Sequence, residues 1–245
     1  MVGERTTRPA FYAIRPGRVG GWWTILHPPY TAWHLSYVAI GASLAPHVDG
    51  VRLAGTLLAF FFAVGVSAHA LDEVHGHPLA TGISDTALWI AAATGLAISV
   101  TLGVAALSRV GPGLVVFIVV GALLLVAYNL EWFGGRLHTD VVFALGWGSF
   151  PVVTSYYAQA ERLDEVVVMA AVAAFFLSLA QRSLSSKARD LRRRVVRVDG
   201  TMTRVDGSVT AIDMPSLLRP LEVALHALAW GLVALATAMT LFRFR

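Results

Sequence analysis

The stretch "HALDEVHGH", residues 69–77, places three imidazoles and two carboxylates in nine positions at the end of an apolar run. Imidazole with carboxylate is metal-ligating chemistry suited to Fe, Zn or Mn, whereas Mg2+ favours all-oxygen shells. His69 and Glu73 are four residues apart and share a helical face, and Asp72 is three from His69. Similar groups recur nearby: His34, seven residues after His27 with Tyr30 between them, then Glu131, His138 and Asp140, and the i,i+4 pair Glu222 and His226. Glu and His projecting inward from bundle helices build carboxylate-bridged metal sites. The expected metal ligands are therefore His34, His69, Glu73, His77, Glu131, Glu222 and His226, with His75, His138 and Asp85 as supporting or alternative ligands. Asp72 and Tyr30 are the expected catalytic groups, and Tyr128 and Arg136 the expected substrate contacts. Plainer roles stand beside these: His27 and His75 as helix-end residues, Asp85 as a first-turn acid after Ser84, and ion pairs Glu131–Arg136 and Glu222–Arg219.

The elements that must position these groups are membrane helices. The 245 residues are 56% hydrophobic and 14% charged, well short of the roughly 25% charge of a soluble domain. Seven apolar segments, 28–46, 51–74, 85–107, 113–132, 138–159, 164–184 and 217–242, each approach the roughly 20 residues of a bilayer-spanning helix. Their Gly and Ala content favours close helix approach, so the expected fold is an all-α transmembrane bundle. The start is basic and lacks the apolar core of a signal peptide, so residues 1–27 read as a cytoplasmic arm. Residues 28–184 read as transmembrane helices 1–6, and 217–245 as the seventh. Between them, 185–216 reads as a basic cytoplasmic loop in which "RVVRVDGTMTRVDGSVTAI" forms a short β-hairpin. The chain has no cysteine, which excludes disulfides and thiolate sites, and no P-loop or G-x-G-x-x-G.

With the N-terminus cytoplasmic and the C-terminus outside, fourteen Lys and Arg fall inside and five outside, satisfying the positive-inside rule. The net charge of +4 is thus concentrated on one face, where it suits anionic lipid headgroups rather than nucleic acid. In this topology the acid and imidazole groups gather at the cytoplasmic half of the bundle. Ionisable groups at membrane depth are costly and face an interior cavity.

Three stretches resemble the UbiA superfamily of polytopic prenyltransferases. "HPLATGIS" resembles the tail of the family's first aspartate motif, "HPPYTAWHLSYVAIGASLAP" its first helix, and "AYNLEWFGGRLHTDVVFALGWGSFPVV" its helix 4–5 connection. The resemblance covers about residues 22–184. It implies a helical scaffold with a cytoplasm-facing cavity and, in typical members, Mg2+ held by aspartates against a prenyl diphosphate. Alignment on the tail places His69, Ala70, Glu73 and His77 at the motif's Asn and three Asp positions. The second motif is absent: "QRSLSSKARDLRRR" offers one acid, Asp190, among basic residues.

The first expectation is thus a metal-dependent enzyme, with one or two metals, acting on a lipid or isoprenoid. An alternative is a UbiA-type prenyltransferase in which Asp72, Glu73 and Asp85 hold Mg2+ and the basic loop helps bind diphosphate. A third is a non-catalytic metal or proton carrier or an accessory membrane protein. The sequence carries no signature of oligomeric state.

Overall fold

The computed structural model describes residues 10–14 and 18–245. The apolar segments become helices because polar residues stop them at both ends. After α1 (Arg18–Ile25), α2 (Pro28–Leu44) begins on two prolines, whose fixed φ suits a first turn. α3 (Gly50–Val74) begins where the Asp49 carboxylate accepts from the backbone N–H groups of Val51 and Arg52. Ser84, Thr139 and Asp164 cap α4 (Asp85–Val110), α6 (Asp140–Ala160) and α7 (Glu165–Arg194) in the same way. The apolar helix α5 (Leu114–Asn129) lies between α4 and α6 in the chain. A reciprocal Asp213–Ser216 capping box opens α8 (Met214–Arg243).

Five of these helices, α3, α4, α6, α7 and α8, are long and apolar enough to cross a membrane, and α5 is a shorter apolar helix. α2 lies between α6 and α8, where Trp33 and Tyr37 bury against Val152, Tyr156 and Ala229. Close approach rests on small residues. A β-carbon at Gly95 of α4 would come within 2.8 Å of the Phe62 carbonyl, and one at Gly148 of α6 within 2.7 Å of the Ala174 carbonyl. α4 and α5 instead expose Ile90, Val104, Val116 and Leu123, the apolar outer surface of a helical membrane protein.

Helices α2 to α8 run alternately between two ends. At one end Arg182 pairs with Asp140 at 3.0 Å and Arg192 with Glu222 at 2.5 Å. At the other, Arg52 donates to the Ala158 and Gln159 carbonyls, and Arg243 to those of Ala45 and Pro46. The hairpin is present: β1 (Gly200–Thr203) pairs antiparallel with β2 (Val209–Ile212), Gly200 opposite Ile212. Its turn uses the second Asp-Gly pair, with Gly207 at positive φ.

Two boundaries differ from expectation. The division at 184/185 falls inside α7, which continues unbroken through "SSKARDLRRR" to Arg194. The expected arm 1–27 contains α1, and its residues 1–9 and 15–17 lie outside the described residues. α3 and α6 each contain a π-helical segment, Phe61–Ala68 and Ala144–Ser149. Such insertions rotate the residues that follow and recur at functional sites.

Candidate functional site

The π-helical segment of α3 delivers His69 to the Arg182 end of the bundle. There its ring stacks on His27 with centroids 4.2 Å apart, and its Nδ1 lies 3.3 Å from the Gly65 carbonyl. One turn on, Glu73 is 0% exposed. Its carboxylate accepts from the backbone N–H groups of Leu79 (2.9 Å) and Thr81 (3.0 Å) and from the Thr81 hydroxyl (2.8 Å). These bonds hold the loop that returns the chain to α4, in which His77, Ala80 and Gly82 have positive φ. The family-like tail "HPLATGIS" is therefore folded around Glu73.

The seven expected ligands are not brought into one shell. Among the described residues no group of three or more His, Asp or Glu side chains is placed to hold a metal. His34 is buried with Nδ1 2.9 Å from the Trp147 carbonyl, in the π-helical segment of α6. His77 lies 3.9 Å from Glu73 and 3.0 Å from Asp85, which draws Asp85 into a loop contact. His75 faces the Leu71 carbonyl at 3.1 Å. Glu131 and Arg136 are exposed and form no ion pair with each other among the described residues. Glu222 pairs with Arg192 rather than Arg219, and the His226 Nδ1 lies 2.9 Å from the Glu222 carbonyl. The His226 ring packs on Phe11. Of the three carboxylates that would hold an Mg2+ ion, Glu73 is committed to backbone N–H groups and Asp85 to His77, and Asp72 accepts no hydrogen bond among the described residues. The described residues thus offer one uncommitted carboxylate, Asp72, where the resemblance implies a set of aspartates.

A different group of side chains does converge. Tyr12, His27 and Tyr30 form one wall: the Tyr12 hydroxyl is 2.8 Å from the His27 Nδ1, and the two tyrosine rings meet edge-on at 5.6 Å. Burial pushes the Tyr12 phenol far above its ordinary range, and burial, then His69, holds His27 well below the usual imidazole value. Both are neutral. The bond to Tyr12 satisfies Nδ1, and the other ring nitrogen of His27, Nε2, is left without a partner among the described residues.

The opposite wall is the end of α7. Arg189 and Arg193 are one turn apart and half-buried. Arg189 donates to the hydroxyls of Ser185 (3.4 Å) and Ser186 (3.0 Å). Neither arginine reaches a carboxylate within 4.0 Å among the described residues. Arg193 lies in the field of Tyr12, Glu73, Asp72 and Tyr30. Asp72, half-buried, lies in the field of His138, Arg189, Arg182 and His75 and accepts no hydrogen bond among the described residues. Tyr128, 3% exposed, closes the site by stacking on His138 at 4.3 Å and meeting Trp147 at 4.5 Å.

Three polar atoms of this group are buried without a hydrogen-bond partner among the described residues: His27 Nε2, Tyr128 Oη and Arg193 Nε. Each such group costs roughly 1–3 kcal/mol until a partner arrives. Two guanidiniums and two phenols are predominantly donors, so their complement is an anion rich in acceptor oxygens, such as a phosphate. Residue types favouring metal ligation drew attention to His and Glu. The arginines were legible as a one-face pair, but they were assigned to topology. Tyr12 lay in a stretch with no periodicity to place it.

No family model and no curated protein sequence matches the chain. Among solved structures it is similar to a UbiA homologue from Archaeoglobus fulgidus bound to Cd2+. That match has 15% identity, covers 91% of this chain and 85% of that one, and has a TM-score of 0.53. A second structure of a UbiA homologue from that organism matches at 15% identity, 91% and 84% coverage and a TM-score of 0.53. One bound to GPP and Mg2+ matches at 14% identity, 91% and 84% coverage and a TM-score of 0.52.

Proposed function

From the UbiA-like, prenyltransferase-like fold of this chain, we propose that it binds an isoprenoid lipid ending in a phosphate or diphosphate, with Arg189 and Arg193 neutralising the anion directly. The observation that carries this reading is the unpaired state of those two arginines beside the buried, partnerless His27 Nε2 and Arg193 Nε. Support comes from the UbiA homologue of the same fold bound to GPP and Mg2+. In this chain guanidiniums stand in for the metal, since Arg matches phosphate bidentately. The Lys and Arg bias supports a cytoplasmic position for this end of the bundle.

The same arrangement supports prenyl transfer. Breaking the bond between the prenyl carbon and the bridging oxygen leaves the electron pair on the diphosphate, where the two arginines stabilise it. An acceptor oxygen or carbon forms the new bond and loses a proton to Asp72, the carboxylate of the group with no hydrogen-bond or ion-pair partner among the described residues. Tyr30 and His27 orient the anion.

The test is binding of GPP to the purified chain in lipid nanodiscs, beside inorganic diphosphate and geraniol as half-ligands. The expected result is saturable binding of GPP that exceeds either half-ligand by roughly tenfold or more. Equal binding of geraniol and GPP contradicts the reading, because the arginines then contribute nothing.

A further inference from the structure

The opposite end of the bundle carries a second feature, independent of the arginine pair. There α3, α4, α5 and α6 enclose an apolar groove of about 280 Å3. Small residues on α3 leave the space: Gly55 and Ala59 both line it. Trp147 closes its deep end. That ring lies parallel to Phe143 at 5.7 Å and against Tyr128 at 4.5 Å, so an aromatic wall separates the groove from the arginine cluster.

Two features of the groove are polar. Thr154 lines it, is 8% exposed, and its Oγ1 has no hydrogen-bond partner among the described residues. A helical threonine ordinarily returns its hydroxyl to the carbonyl four residues back. Thr56, Thr237 and Thr240 do so here at 2.8 Å, and Thr154 does not. The second feature is the mouth, where Arg52 and Arg109 stand. Arg52 is committed: it donates to the Ala158 and Gln159 carbonyls at 3.2 Å and pairs with Glu161 at 2.9 Å. The Arg109 side chain is exposed and has no partner among the described residues.

Thr154 lies one turn below Ala158, whose carbonyl anchors Arg52, so its hydroxyl sits roughly 5 Å deeper than the mouth. The polar zone of a bilayer leaflet is about that thick and ends at the chain linkages. We infer that this groove holds one chain of an anionic glycerolipid. The headgroup phosphate meets Arg109, an ester oxygen accepts from the Thr154 hydroxyl, and the chain runs toward Trp147. The polar end of this lipid lies at the opposite end of the bundle from Arg189 and Arg193, so the site is additional to the proposed isoprenoid site.

Native mass spectrometry of the delipidated full chain, re-exposed to phosphatidylglycerol or phosphatidylcholine, tests this. Wild type is expected to retain one phosphatidylglycerol, favoured over phosphatidylcholine by about fivefold. Arg109→Gln is expected to erase the preference between the two lipids. Gly55→Leu places a side chain in the groove, where an added β-carbon meets nothing within 4 Å, and is expected to abolish retention while preserving the fold. Thr154→Val is expected to weaken retention and, without lipid, to raise the unfolding temperature. Equal retention of both lipids by wild type overturns the proposal. So does phosphatidylglycerol retention that neither Arg109→Gln nor Gly55→Leu changes.

Discussion

Two polar clusters share one end of this bundle and differ in how their valences are filled. Around Glu73 two backbone N–H groups and a hydroxyl meet one carboxylate, and the loop 75–84 is wound about it. Around Arg193 there are polar groups without partners: a buried Nε, a buried imidazole nitrogen and no carboxylate within ion-pair distance among the described residues. A buried charge that is fully hydrogen-bonded belongs to the fold. The proposed anion is what would complete a cluster left open by its own chain.

Truncating the closed cluster is expected to have the largest effect. Glu73→Ala removes the acceptor from three buried donors and should cost roughly 3 kcal/mol or more of stability, read as a fall in unfolding temperature in detergent. Molecules that remain folded should still bind GPP. If Glu73→Ala is normally stable yet ligand-free, the distinction between the clusters collapses.

The open cluster should respond in the opposite sense. Arg193→Gln and Arg189→Gln are expected to weaken GPP binding roughly ten- to a hundredfold. Neither should lower the unfolding temperature of the unliganded chain, since no ion pair is lost. A large drop in stability with unchanged affinity would move the arginines into the structural class. Tyr12→Phe frees the His27 ring and should cost about three- to tenfold in affinity, with little change in stability.

The smallest effect is a pH dependence. Burial, His69 and the α7 arginines hold the folded His27 pKa well below 6.5. Below pH 6.5 the unfolded chain therefore takes up a proton that the folded state refuses, and stability falls as pH drops from there toward the folded value. His27→Phe should lessen the fall in unfolding temperature between pH 6.5 and 5. An unchanged slope in that variant would show that the ring is not held neutral.

The fold was largely legible. Hydropathy and caps such as Ser84 and Asp164 locate α2 to α8 within a few residues, and the hairpin follows from alternation and an Asp-Gly turn. The length of α7 was not read, because its last turns lose their apolar character while its helical hydrogen bonding continues. The π-helical segments leave no periodic signature. The gathering of the candidate residues at one end of the bundle was legible. Residue types singled out His69, Asp72, Glu73 and Tyr30, and all four do lie at this end. What a sequence does not show is that backbone N–H groups of the following loop saturate Glu73. Nor does it show that Arg189 and Arg193, two members of a run of positive charge, turn inward beside Tyr12.

The most direct test compares GPP affinity with Mg2+ and with EDTA, in the wild-type chain and in the Arg189→Gln, Arg193→Gln double variant. The open-cluster account predicts equal wild-type affinity in both buffers and loss of binding in the double variant. Binding that requires Mg2+ and survives removal of both arginines would contradict it.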